Sequence, residues 1–326
     1  MRLFEPIALA NISYRFRRPA VAGARHVTAF GIASVYTHPS QRKKGYATKM
    51  LQLLHWVLAP LPIDTFPSEW GVPPTRPENR GFGEAAFSVL YSDVGPDIYA
   101  ACGPRPGEPG WVVQNPTSTV WDVDRILQTV DSTKDTESDL TWTWLDDKQL
   151  LDAWKVDAER FIAESFSNPS AVNCAFLPDQ GVAQFQIDRT KEWWSRLNPP
   201  PTHWGLEVSS KSDTAKSTIS FSAWTLEVRA EAAKDKKMLI TRLYFPSGPG
   251  SDGIFPQILA KWAQVASQFG ISQIEVWNLP THLVESQAVV ETGGRTFERS
   301  DHLSSFIWYG QDPNEKENVR WIHNEK

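Results

Sequence analysis

A chain of 326 residues, 41% of them hydrophobic, is longer than one compact core of ordinary size needs and carries enough apolar mass to fill two. Its formal net charge of -5 gives no general attraction to nucleic acid or to an anionic membrane. Two cysteines, Cys102 and Cys174, supply neither a disulfide framework nor a metal-ligand cluster, and the seven histidines show no metal-ligand spacing, so a reducing compartment and chemistry without a metal are expected.

The N-terminal stretch, residues 1–21, has only a short apolar run, broken by Glu5, Pro6 and Asn11. It fails as a signal peptide or membrane span, and a soluble, cytoplasmic protein is expected. Residues 12–37 read as two strands with a turn at Ala22-Gly23-Ala24. The second of them, β-branched and aromatic over 27–37, is stopped by His38-Pro39-Ser40. A helix over 44–58 follows, with an apolar stripe at Met50, Leu51, Leu54, Val57 and Leu58.

The junction between that strand and that helix, Gln41-Arg42-Lys43-Lys44-Gly45-Tyr46-Ala47, is the most informative stretch of the chain. Backbone N–H groups and the positive end of the helix dipole face the turn. Gly45 and Ala47 leave room for close approach, and Arg42, Lys43 and Lys44 add positive charge, so a pyrophosphate fits there.

Prolines 60, 62, 67, 73, 74 and 77 then enforce a long irregular loop, either a wall of a nearby pocket or a solvated excursion. A strand over 87–93 and a short helix within 95–103 come next, then a strand-like Trp111-Val112-Val113. Residues 131–147 are acidic and poor in aliphatics, the composition of a connector. An amphipathic helix is expected over 149–166, with Leu150, Leu151, Trp154, Phe161, Ile162 and Phe166 apolar. Two alternating runs, 217–229 and 236–245, read as paired strands. The order strand, helix 254–269, strand 271–277 then repeats that of the first half, and its connecting loop at 246–253 has glycines but no basic residue. The fifteen tryptophans, among them Trp142, Trp144, Trp193 and Trp194, are read first as core and interface packing.

Q-R-K-K-G-Y-A resembles the acyl-CoA pyrophosphate loop of the GNAT acetyltransferase superfamily, Q/R-x-x-G-x-G/A, in its required setting between strand and helix. F-S-V-L-Y-S-D followed by G-P-D-I-Y-A-A-C-G resembles that family's next strand and short helix, with Tyr99 four positions before the closing Gly103. G-I-A-S-V-Y-T-H-P, F-S-V-L-Y-S-D-V-G and H-L-S-S-F-I-W-Y-G together resemble the fungal lysine N-epsilon-acetyltransferases. The resemblance implies an α/β (α+β) protein with a GNAT acyl-CoA transferase fold over 1–130, an acidic linker at 131–148 and a degenerate GNAT-like domain over 149–326. It also implies a chain shortened at its start, because such relatives place a strand, two helices and a further strand ahead of the hairpin.

The activity implied is transfer of the acetyl group of acetyl-CoA to a primary amine of a small molecule, lysine first. A polyamine or a specialised metabolite as acceptor, and an acyl-CoA-binding protein of weak activity, are the alternatives. By resemblance Gln41, Arg42, Lys43, Lys44, Gly45, Tyr46 and Ala47 hold the pyrophosphate, and backbone N–H groups at Val35 and Tyr36 polarise the thioester carbonyl. Such a donor is worth about 3 kcal/mol. Ser92 contacts the pantetheine arm. Tyr99, a phenol of pKa about 10, matches the acid that reprotonates a thiol of about 8.5, and its bland reading is an aromatic anchor. Asp93 contacts substrate or caps the following helix. The base that deprotonates the amine is left open among Glu84, Asp93 and His26, and Cys102 reads as an inert core thiol.

Overall fold

The computed structural model describes residues 8–16, 25–78, 81–114, 116–130, 139–165, 172–180, 197–211, 218–228, 236–247, 251–310 and 319–321, with single positions between 183 and 191. In chain order the first elements are β1 (Ala8–Phe16), β2 (Arg25–Ala33), α1 (Tyr46–Leu58), β3 (Ala85–Ser92), α2 (Asp97–Ala100), β4 (Val112–Val113), β5 (Thr117–Asp122) and α3 (Val123–Thr129). They are followed by β6 (Leu140–Leu145), α4 (Asp147–Ser165), β7 (Val172–Cys174), β8 (Gly205–Ser210), β9 (Thr218–Glu227) and β10 (Lys237–Tyr244). The chain then runs through α5 (Ser251–Gln268), β11 (Gln273–Trp277), α6 (Thr281–Val284), α7 (Gln287–Glu291), β12 (Arg295–Glu298), β13 (Leu303–Trp308) and β14 (Val319–Trp321).

Two compact units form, and each is discontinuous in sequence: one takes residues 1–116, 160–180 and 299–324, the other 117–159, 181–298 and 325–326. Among the described residues the first unit holds a seven-stranded sheet in the order β14-β7-β1-β2-β3-β13-β4. The hairpin expected over 12–37 is the antiparallel pair β1–β2, in unbroken register from Ala8↔Ala33 to Phe16↔Arg25. Its expected turn at Ala22-Gly23-Ala24 lies outside the described residues. β2 and β3 are parallel, joined through α1, whose Leu51, Leu54 and Leu58 pack with Phe30, Ile32, Ala85 and Leu90 of the strands. The helix also buries His55 and Trp56, which lie outside the apolar stripe read from the sequence.

His55 explains its own burial. Its Nε2 lies 2.7 Å from the Cys102 carbonyl, which only accepts, so Nε2 carries the proton and Nδ1 accepts from the Tyr309 hydroxyl at 2.8 Å. The Ser88 hydroxyl donates to Tyr309 at 2.7 Å, and Trp111 Nε1 donates to Ser88 at 2.9 Å. Every member of this buried chain is satisfied, which a low-dielectric interior requires.

The proline-rich loop is anchored along α1. Arg76 donates from Nε to the Trp56 carbonyl at 2.7 Å and from Nη2 to that of Leu61 at 2.6 Å. Phe66 packs edge-on against Trp56 and Trp70, and Lys49 sits 4.6 Å over the Trp70 ring.

The second unit repeats the plan: its sheet has the order β12-β5-β11-β10-β9-β8-β6, with β10 and β11 parallel across α5. The expected strand pair 217–229 and 236–245 is β9 with β10, and the charged turn between them lies outside the described residues. The expected helix 149–166 is α4. It starts at Asp147, because Asp146 and Gln149 form a reciprocal capping box at 2.9 and 3.0 Å. Buried Trp121, Trp154, Trp224 and Trp262 fill the core of this unit, and Trp193 and Trp194 lie outside the described residues.

Two stretches go where composition does not send them. Residues 117–122, within the expected first domain, form β5, which pairs with β11 and β12 in the second sheet. Residues 303–308, within the expected second domain, form β13, which pairs with β3 in the first. Within the acidic stretch, residues 140–145 form the edge strand β6 paired with β8, because Leu140, Trp142 and Trp144 alternate with Thr141 and Thr143 and pack on the core. Residues 131–138 lie outside the described residues.

Candidate functional site

The ends of β2 and β3 part from each other. Their shared ladder finishes at Ile32↔Leu90, while β2 continues with β1 to Ala33↔Ala8 and β3 continues with β13 to Ser92↔Leu303. Beyond Ile32 and Leu90 each strand is paired with its outer neighbour alone, and Ser34, at φ 58, adopts left-handed backbone where β2 has ended. Backbone N–H and C=O groups of a split pair are available to a third, extended group laid between them. Val35, half-buried, packs on the same cluster as Met50 and Tyr99, whereas Tyr36 is 56% exposed at the rim.

The turn from Tyr36 to α1 is tight and open. A 3₁₀ turn, Pro39–Gln41, is capped by His38, whose Nδ1 lies 2.8 Å from Ser40 Oγ. Lys43 (φ 63) and Gly45 (φ 77) both adopt left-handed backbone, and such turns gather successive N–H groups into an anion-binding concavity. A Cβ built on Gly45 meets nothing within 4 Å, so the glycine is there for its backbone angle and for space in front of the helix. The first intrahelical donor is the N–H of Lys49, 2.9 Å from the Gly45 carbonyl, which leaves those of Tyr46, Ala47 and Thr48 at the positive end of the helix.

Arg42, Lys43 and Lys44 are exposed around that turn. Arg42 Nε donates to the Thr37 carbonyl at 3.1 Å with its guanidinium 5.8 Å over the Tyr36 ring, and Lys44 Nζ donates to Gln41 Oε1 at 3.0 Å. Two of the three cations and Gln41 are thus braced on the turn itself. These residues fit a diphosphate: unpaired helix-start N–H groups, braced cations and room for close approach.

Tyr99 stands on α2 with its ring edge-on to Trp111 at 6.5 Å. Its carbonyl accepts from the N–H groups of Cys102 at 3.1 Å and Trp111 at 3.2 Å, which fixes the short helix. The closing Gly103 is required because a Cβ there collides with the Glu108 carbonyl. Burial raises the Tyr99 pKa above the ordinary phenol value, and the Asp93 charge and then Cys102 push it the same way, so the hydroxyl keeps its proton at neutral pH. The thiol of Cys102 is buried, and burial raises its pKa too, which suits a packed side chain and not a nucleophile.

Ser92 is fully buried, and its hydroxyl donates to the Gly95 carbonyl at 2.7 Å and accepts from the Val94 N–H at 3.3 Å. It shapes the turn that carries Asp93. Asp93 does not cap α2, whose N-cap is Pro96 with no side-chain bond. Instead its Oδ1 lies 2.6 Å from His302 Nδ1 and accepts from the His302 N–H at 3.1 Å. Glu84 and His26 sit at the starting ends of β3 and β2, opposite the parting ends, since the strands are parallel; a strand of eight residues spans about 25 Å. Sequence reasoning missed His302, although the run H-L-S-S-F-I-W-Y-G that opens with it is one of the segments singled out there. Among the described residues no group of three or more His, Cys, Asp or Glu stands where it could hold a metal ion, and no helix is long and apolar enough to cross a membrane.

Comparison with known proteins gives the following. A family described as the LYC1 GNAT-like C-terminal domain matches residues 127–326. A GCN5-related N-acetyltransferase from Kribbella flavida is similar at 11% identity and a TM-score of 0.40, over 92% of this chain and 56% of that one. A GCN5-related glucosamine N-acetyltransferase region of a fungal multi-domain GH3 beta-N-acetylglucosaminidase is similar at 11% identity and a TM-score of 0.46, over 91% of this chain and 31% of that one. A tandem GNAT protein from the clavulanic acid biosynthesis pathway is similar at 12% identity and a TM-score of 0.42, over 95% of this chain and 86% of that one. The chain thus spans 56% and 31% of the first two. No curated protein matches.

Proposed function

The chain belongs to the family of the LYC1 GNAT-like C-terminal domain, and on that premise we propose that it is an acetyl-CoA-dependent N-acetyltransferase acting on a primary amine of a small molecule, the side-chain amine of lysine being the first acceptor to test. The observation that carries this reading is the left-handed turn at Lys43 and Gly45, flanked by exposed cations and opening the helix that follows β2, beside the end of the β2–β3 ladder.

In this reading the N–H groups at the start of α1 and the charges of Arg42, Lys43 and Lys44 hold the diphosphate, with Gln41 bracing Lys44. The pantetheine arm lies between the split strands, where backbone donors at Val35 and Tyr36 polarise the thioester carbonyl. Ser92 keeps the β3 turn in shape through Gly95. Tyr99 returns a proton to the departing thiolate. The exposed carboxylate of Asp93 draws a cationic acceptor toward the same end of the sheet.

Calorimetric titration with coenzyme A and an assay for free thiol with acetyl-CoA and lysine test this together. Binding in the micromolar range and lysine-dependent thiol release are expected. Release with a polyamine or another amine and not with lysine moves the acceptor. Binding without release from any amine reduces the protein to an acyl-CoA binder, and no binding removes the reading.

A further inference from the structure

We propose that His302 is the general base of the amine acetylation, held in its working orientation by Asp93; the assignment rests on the transferase reading above and names its missing proton acceptor. β13 pairs with β3 in the register Leu303↔Ser92, so the residue before Leu303 falls opposite the residue after Ser92. That places His302 against Asp93 at the end of the sheet where β2 and β3 part. One carboxylate oxygen of Asp93 takes both the ring Nδ1, at 2.6 Å, and the backbone N–H, at 3.1 Å.

Two consequences follow for the imidazole. A carboxylate at Nδ1 fixes the tautomer with its proton on Nδ1, which makes Nε2 the basic atom, and it stabilises the imidazolium formed when Nε2 takes a proton. The side chain of His302 is 29% exposed. Its backbone φ is 47, a left-handed angle that costs a non-glycine residue energy and that the two bonds to Asp93 hold in place.

The acid and the base then both lie near one carboxylate. Asp93 is close enough to Tyr99 for its charge to raise the phenol's pKa, and it touches His302 directly. Among the described residues the titratable groups of this corner include Asp93 at the end of β3, Tyr99 on α2 with Cys102 near it, and Asp301 beside His302 in the chain. The other two acidic or basic groups near the motifs, Glu84 and His26, belong to the far end of the strands.

The proton balance closes without another reactant. The ammonium of the acceptor loses a proton to His302 Nε2, and the imidazolium passes it to solvent. The amine nitrogen attacks the carbonyl carbon; the N–C bond forms and the C–S bond breaks. Tyr99 gives its proton to the sulfur, and the phenolate recovers one from the nitrogen as that becomes an amide. This first step needs a proton acceptor, since a lysine amine of pKa about 10.4 is almost wholly protonated at neutral pH.

The test is the pH profile of kcat/KM for thiol release by the wild-type chain and by His302→Gln, with calorimetric titration of coenzyme A for both. The expected result is a fall of about a hundredfold or more, loss of the acidic limb in the histidine range, and coenzyme A affinity unchanged. Asp93→Asn is expected to move that limb to lower pH, because the imidazolium loses its counter-charge. Should glutamine loosen the turn and abolish coenzyme A binding, His302→Asn, whose amide keeps a donor toward Asp93, is expected to bind coenzyme A and show the same kinetic loss. Wild-type rate and an intact acidic limb in either variant overturn the role of His302 and leave the transferase standing. A wild-type chain that releases no thiol from any amine overturns the transferase reading and this role with it.

Discussion

The hydroxyl of Tyr309 donates to Nδ1 of His55 at 2.8 Å, tying the residue after β13 to the last turn of α1 across 254 positions of sequence. Through Ser88 and Trp111 the same chain reaches β3 and the entry to β4, and through the Cys102 carbonyl it reaches the end of α2. Helix α1 and the short helix α2 that carries Tyr99 are therefore fixed by one buried set of bonds. Tyr309→Phe leaves the His55 acceptor and the Ser88 donor buried without partners. A loss of about 1–3 kcal/mol is expected, read as a lower midpoint in urea unfolding.

The same histidine sets an acid limit on stability. Burial lowers the His55 pKa from 6.5 to about 4, partly offset by its bond to Cys102. The unfolded chain protonates this site below about pH 6.5 and the folded chain only below about 4. Between those values the unfolded state binds more protons, so stability falls as pH falls through that window and levels off beneath it. The full effect is about 3 kcal/mol. Unfolding midpoints measured from pH 7 to pH 4 are expected to show it, and His55→Gln should flatten that part of the curve.

Substitutions in the turn should separate its two contributions to anion binding. Gly45→Ala forces a side chain into left-handed backbone, at about 1–2 kcal/mol, although a Cβ there has open space. Weaker coenzyme A binding that persists at high salt is expected, since backbone shape is not screened. Arg42→Ala with Lys44→Ala leaves the shape intact and removes exposed charge, so about a tenfold loss that shrinks as salt is raised is expected.

Tyr99→Phe removes the phenolic proton and keeps the ring against Trp111. A fall in kcat of about a hundredfold is expected with coenzyme A affinity retained. Because burial and Asp93 raise the Tyr99 pKa, the alkaline limb of the wild-type profile is expected above the ordinary phenol value of about 10.

In the second unit Arg242 and Asp157 form a bidentate pair at 2.6 and 2.9 Å, both buried. Asp157→Ala takes the bidentate carboxylate away from the buried guanidinium. A loss of about 3–5 kcal/mol is expected by calorimetric or urea unfolding, far more than at the exposed, salt-screened Lys155–Asp152 pair.

What the sequence revealed was local. The hairpin, α1, the strand–helix–strand unit of each half and the glycine turn ahead of α1 all carry short-range signals: alternation, three-and-four spacing, glycine and proline at the boundaries. Burial of His55 and Trp56 was hidden because both are polar-edged side chains whose partners, Tyr309 and the Pro104 carbonyl, are distant in sequence. β6 was masked by its acidic surroundings, although Leu140, Trp142 and Trp144 alternate as a strand does. His302 gives no pattern of its own. Only the register of β13 against β3 brings it to Asp93, and register is a product of pairing, which one-dimensional periodicity does not encode.

The exchange of strands has a bearing on synthesis. The sheet of the first unit lacks β13 until residues 303–308 have been made, and all the strands of the second unit are translated before them. During that interval the outer edge of β3 stays bare, a template for pairing with other nascent chains. Expression of residues 1–130 alone should therefore yield aggregates, and co-expression with a separate peptide covering 299–324 offers a way to complement the missing edge.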